Sequence, residues 1–299
     1  MISPLRKPQR QFLPQRVPDP KIKRLPRKAS SMTIALGMLY GGGAIVAADS
    51  QLVYQDGSKT RGRKVCKVNL AHIAFAIAES SDDANAADTL VRSIAGRLGD
   101  PKTISWIKFE SEIASQMTEW HSAYGHSTPP VTKLIIGATI PKAGTRIYFC
   151  EPPCTVLHKK DGYASAGSGA AITDALFKML FTPFFTTQNI QIVLRILAYL
   201  MYRTKGIEGN FYCGGPTDAV FVDTAKSFAD WIYSPDLEAA EAGSFQLDVI
   251  LGQAAMLALT QSNEWLDQNL GHIGDVIRHC EKLREVVFHD IGDKILGKT

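Results

Sequence analysis

The 299 residues, 45% hydrophobic and 21% charged, are enough to bury a sizeable core and have the balance of an ordinary globular protein, with one large domain or one domain plus an appendage. Five cysteines without paired zinc-type spacing argue against a disulfide framework and for a reducing, cytoplasmic compartment. The formal charge of +4 is unevenly placed: residues 1–31 hold nine Lys or Arg against the single acid Asp19, so residues 32–299 carry about −4.

That first segment also holds six prolines and few large apolar side chains. Proline at this density opposes helix and removes sheet donors, so residues 1–31 are expected to form a disordered basic leader or propeptide. The segment lacks the apolar run of a secretory signal. Three roles are open to it: an untranslated leader of a gene that starts at Met32, a propeptide cut to free Thr33, or a retained basic arm that contacts nucleic acid or anionic lipid.

Residues 32–50 read as a β-hairpin. Two apolar strands, Ile34 to Leu39 and Ala44 to Ala48, flank Gly41, Gly42 and Gly43, which supply the positive φ a tight turn uses. The ends of the hairpin carry chemistry. If the chain started at Thr33, its α-amine, with a pKa of roughly 7.7 to 8.0, would sit beside its own hydroxyl as a general base. Asp49 closes the second strand, and Lys64 follows in the basic run 59–67.

Two further strands are expected over Val65 to Asn69 and Ile73 to Ala78, the second so continuously apolar that both its faces must be buried. Ser80 or Ser81 is expected to cap a helix that has Asp82 and Asp83 in its first turn and ends before Gly99. A second helix spans Ile104 to Tyr124, its stripe of Trp106, Phe109, Ile113, Met117 and Trp120 packing on a sheet. Strand-like runs follow over Lys133 to Thr139, Thr145 to Cys150 and Thr155 to Lys159.

Gly167, Ser168 and Gly169 open a helix that runs through Leu180, and another spans Thr187 to Arg203. The latter is apolar but too short, with Arg195 too central, to span a membrane. A strand at 217–223 closes the domain, and helical periodicity over 245–259 and 263–287 gives a helical extension at 226–299. This element order predicts an α+β fold: two antiparallel sheets stacked face to face with helix pairs outside, a four-layer αββα sandwich. No metal or other cofactor is expected, because no Cys, Asp, Glu or His spacing completes a ligand set.

Thr33, the strand ending at Asp49 and Ser50, and Lys64 followed by an alternating strand resemble the N-terminal half of proteasome β subunits and of the bacterial two-ring threonine peptidases, which are N-terminal nucleophile (Ntn) hydrolases. The run Leu134-Ile-Ile-Gly-Ala, the turn at Glu151, Pro152 and Pro153, the Gly-Ser-Gly loop at Ser168 and the segment from Asn210 to Gly215 continue the match in order, over roughly residues 33–225.

The resemblance implies the αββα fold and a threonine endopeptidase in which Thr33 Oγ attacks a peptide carbonyl. Lys64, held by Asp49, lowers the hydroxyl's pKa, and Ser168 with the Asn210/Cys213 pair positions the α-amine. The oxyanion falls to the backbone N–H of Ala78, where the family has a small glycine, and Leu52, Ala76 and Ser80 form the substrate pocket wall. It also implies peptide or unfolded-protein substrates, a homo-oligomeric assembly of six- or seven-membered rings and an ATP-dependent unfoldase as partner. Membrane and nucleic-acid partners are not expected.

Three positions depart from the family: Asn210 replaces an aspartate, Cys213 a serine, and Glu79 stands beside the oxyanion candidate. The alternative is a catalytically silent ring subunit in the manner of proteasome α subunits. Against it stand the joint presence of Asp49 and Lys64 and a proline-rich segment where α-type chains carry a helix.

Overall fold

A computed structural model describes residues 29–30, 33–54, 58–98, 104–180, 189–206, 213–233, 236–244 and 248. The expected helices at 245–259 and 263–287 lie, apart from residue 248, outside these, as do residues 1–28 of the leader.

In chain order the elements are β1 (Ala29–Ser30), β2 (Ile34–Tyr40), β3 (Gly43–Asp49), β4 (Gln51–Tyr54), β5 (Lys59–Arg61), β6 (Val65–Leu70) and β7 (Ile73–Ser81). Helices α1 (Ala84–Arg97) and α2 (Trp106–Ser122) follow, then β8 (Thr132–Ile140), β9 (Gly144–Glu151), β10 (Thr155–His158) and β11 (Tyr163–Gly167). Helices α3 (Ala170–Leu180) and α4 (Ile190–Gly206) precede β12 (Thr217–Asp223) and β13 (Phe228–Ile232).

The strands form two five-stranded antiparallel sheets, ordered β10-β9-β8-β7-β6 and β11-β2-β3-β12-β13, and a small sheet β1-β4-β5. Three apolar layers hold the stack together. One packs α1 and α2 on the first sheet through Phe75, Ile77, Phe109, Ile113 and Tyr148. Another packs α4 on the second sheet through Leu36, Met38, Val193 and Leu197. The layer between the sheets is made largely of alanine: Ala35, Ala44, Ala48, Ala74, Ala76, Ala78, Ala164 and Ala166.

Small side chains let the two sheets lie close. A Cβ placed at Gly37 would stand 2.5 Å from Ile135 Cγ2, and one at Gly137 2.8 Å from Val46 Cγ2. The period of two along a strand explains how one sequence serves both sides. On β7, Ala74, Ala76 and Ala78 face the alanine layer while Ile73, Phe75 and Ile77 face the helices, so the whole strand is buried.

The α+β fold of stacked antiparallel sheets flanked by helices is thus as expected, with local differences. Asp83, not Ser80 or Ser81, caps α1: its carboxylate accepts from Asn85 N and Ala86 N, both at 3.1 Å, and the helix has no acid in its first turn. Ser81 still lies in β7, its hydroxyl occupied by Thr132 Oγ1 at 2.8 Å. The turn of the first hairpin is Gly41 and Gly42, and Gly43 already belongs to β3. Gly43 is a glycine for want of space, since a Cβ there would meet Val222 O at 1.9 Å. The helix expected from Gly167 starts only at Ala170, because Gly167, with φ +99°, ends β11. Within the leader, Ala29 and Ser30 pair with Tyr54 and Val53 of β4 rather than lying free. The second sheet runs past residue 225, since β13 pairs along β12.

Candidate active site

Five segments converge at one end of the sandwich. Thr33 precedes β2, Asp49 ends β3, Lys64 precedes β6, Ser168 follows β11, and Cys213 and Gly214 lie in the loop before β12. Lys64 Nζ donates to Thr33 Oγ1 and reaches Asp49 Oδ1 at 3.2 Å. The three residues are almost sealed from solvent, Thr33 and Asp49 at 0% exposure and Lys64 at 3%.

Asp49 is the hub of this arrangement. Its Oδ1 also accepts Ile34 N at 3.1 Å, and its Oδ2 accepts Gly214 N at 2.9 Å. A carboxylate fixed by two backbone N–H groups and an ammonium keeps its geometry without water. Ser168 Oγ and Cys213 Sγ are 3.5 Å apart. Gly167 brings the Ser168 loop against the threonine, because a Cβ at 167 would lie 1.8 Å from Thr33 O and 2.8 Å from Ser80 Oγ.

Burial pulls the Lys64 pKa below the ordinary lysine value, opposed by the charge and hydrogen bond of Asp49 and by the nearby Cys213 and Glu79. A lysine in that balance can donate a strong hydrogen bond to a hydroxyl and still exchange a proton with it. Glu79 is pushed up to about 8, first by burial and then by Asp88, with Lys64 acting the other way.

Residues 30–214 match the family model of the proteasome subunit. The chain belongs to the proteasome subunit family. Its fold is similar to that of Anbu from Hyphomicrobium sp. strain MC1 (Gly-1 mutant; TM-score 0.61, 13% identity), described over 77% of this chain and 98% of that one. Similar coverage relates it to Anbu (ancestral beta-subunit) from Yersinia bercovieri, with a TM-score of 0.60 and 13% identity over 77% and 98% of the chains. The helical assembly of the Anbu complex from Pseudomonas aeruginosa gives a TM-score of 0.62 and 14% identity, over 77% and 98%. No curated protein sequence matches significantly.

In this proteasome-family chain the expected site residues do not all meet. Thr33, Asp49, Lys64, Ser168 and Cys213 come together, whereas Asn210 lies outside the described residues. Ser80 borders the site beside Gly167. Leu52 lies on β4 with its side chain over Gly62, part-way exposed, and Ala76 is sealed inside the alanine layer at 0% exposure.

Ala78 is not placed to serve an oxyanion. Glu79 N donates to Lys64 O at 2.9 Å, so the alternation of an antiparallel ladder turns the Ala78 N–H the other way, toward β8 and Ile135. The same alternation aims the Glu79 side chain at the α1 side of the sheet, not at the threonine. The sequence reading missed the Gly214 N–H and the Ile34 N–H, the backbone donors that fix Asp49. The paired glycines at 214 and 215 were the available signal. A Cβ at Gly214 would stand 2.5 Å from Gln51 Oε1, so any larger residue there must push the Gln51 side chain aside.

Proposed function

We propose that this chain is a proteasome-type threonine endopeptidase with Thr33 as its N-terminal nucleophile, working in a homo-oligomeric assembly on peptides or unfolded proteins. The observation that carries this reading is the buried Lys64 ammonium between the Asp49 carboxylate and the Thr33 hydroxyl. Once Thr33 begins the chain, its α-amine takes the Oγ proton while Oγ attacks the substrate carbonyl. The amine then returns that proton to the leaving amine. A Thr33 ester remains, which water opens to release the second product.

Lys64 stabilises the developing charge on Oγ, and Asp49 keeps Lys64 charged and aimed. Ser168 and Cys213 flank the position of the new α-amine. An extended substrate has a built edge to pair with in β4, which Ala29 and Ser30 occupy in the uncut chain. An ATP-dependent unfoldase fits such a reading as the partner that feeds substrate.

A second reading, a silent structural subunit, is favoured by one observation: in the intact chain the Thr33 nitrogen is an amide to Met32, and Thr33 is fully buried. Intact mass and N-terminal sequencing of protein from its native host test the choice. A chain starting at Thr33 that hydrolyses unfolded casein, and loses that activity in Thr33→Ala while keeping its assembly size, supports the peptidase. A chain that retains residues 1–32 favours the silent subunit.

A further inference from the structure

On the far side of the loop that precedes β12 lies a second, part-buried polar cluster, which the hydrolytic reading does not use. Lys205 Nζ, on the last turn of α4, reaches Thr217 Oγ1 at 2.7 Å and Glu241 Oε1 and Oε2 at 3.0 and 2.8 Å. Thr217 Oγ1 also donates to Glu241 Oε1. Thr217 is fully buried, and the Lys205 and Glu241 side chains are 13% and 14% exposed. Glu241 belongs to a helical segment at 236–244 whose Leu237 and Ala240 are sealed into the apolar core beside α4.

Thr217 is the ladder partner of Asp49. Between the cluster and the carboxylate three hydrogen bonds tie the backbone. Pro216 O accepts Ser50 N at 2.9 Å, Gly214 O accepts Gln51 N at 3.1 Å, and Gly214 N donates to Asp49 Oδ2 at 2.9 Å. There is little slack: Gly215 holds φ +70°, and a Cβ on it would stand 3.0 Å from Ser50 Oγ, a buried hydroxyl with no hydrogen-bond partner among the described residues. A displacement at Thr217 therefore passes into the Gly214 N–H, and from there into Asp49 and Lys64.

We propose that Lys205 and Glu241 are positioning residues for Asp49, an interlock through which the helical segment after the sandwich sets the geometry of the threonine centre. Its catalytic consequence rests on the peptidase reading given above, whereas its structural part does not. Two charges that neutralise each other around one hydroxyl hold that hydroxyl in a single orientation, and removing one charge leaves the other part-buried and unmatched.

Amide hydrogen exchange with site resolution, on the full chain and on Glu241→Gln, reads the interlock directly, because Ile34 N and Gly214 N both bond to Asp49. The expected result is exchange faster by about tenfold at Ile34 and Gly214, with Ile135 and Ile136 of β8 unchanged. Lys205→Met provides the same measurement should Glu241→Gln fail to fold. In protein starting at Thr33, kcat for a peptide substrate falls while KM holds. Faster exchange confined to 236–244, with Ile34 and Gly214 at wild-type rates, overturns the proposal even if kcat falls. If wild-type protein starting at Thr33 hydrolyses nothing while Ile34 and Gly214 respond to the variant, the peptidase reading fails and the coupling to Asp49 stands.

Discussion

Glu79 shows how much one side chain's environment decides. The sequence places it beside Ala78, next to the chemistry, yet the strand's alternation sends its carboxyl to the side of α1, where burial and Asp88 raise its pKa to about 8. An acid whose pKa is raised on folding binds its proton more tightly in the native state. It costs no stability below its unfolded value near 4.5, and the cost grows as pH climbs from there to about 8. Glu79→Gln is therefore expected to melt close to wild type at pH 5 and clearly above it at pH 8.5, a widening gap that thermal denaturation at the two pH values reads. Gly167 makes the opposite demand. With φ +99° and Thr33 O occupying the Cβ position, Gly167→Ala is expected to cost roughly 1–3 kcal/mol in urea denaturation and to displace Thr33.

At the scale of elements, the alanine layer sets the spacing of the sheets, so it should resist enlargement more than truncation. Gly137→Val would press two methyl groups onto Val46 and Ala44 and is expected to destabilise by about 1–3 kcal/mol, checked by chemical denaturation. The open edge of the sandwich is stitched by a side chain acting as a strand. Asn69 Nδ2 donates to Ala229 O at 2.9 Å and Asn69 Oδ1 accepts Ala229 N at 2.6 Å, joining β6 to β13 across the two sheets. Asn69→Ala is expected to cost about 1–3 kcal/mol and to speed exchange of the Ala229 amide.

The elements that the sequence declared were those with a strong period. The α2 stripe of Trp106, Phe109, Ile113, Met117 and Trp120 is buried as its spacing requires, and β7 is buried on both faces as its apolar run implied. Strands β4, β5 and β13 were not declared. They are short and partly or wholly exposed, β5 and β13 at sheet edges and β4 inside the small sheet, and only their neighbours make them strands.

For the molecule as a whole, charge separates the leader from the fold. Loss of residues 1–32 takes the formal charge from +4 to about −4, so a chain starting at Thr33 should bind an anion exchanger at pH 7.5 and the full chain should pass through it. The strongly periodic strands and helices and the first hairpin were legible in local pattern, and Thr33, Asp49 and Lys64 stood out through the family resemblance that their order with the later glycine motifs carries. Tertiary structure alone decided that Gly214 reaches across 165 positions to hold Asp49, that Ala78 turns its N–H away from the threonine, and that Lys205 and Glu241 lock the loop between them. Those outcomes depend on which strand lies beside which and on where a Cβ will not fit, and no periodicity along the sequence encodes either.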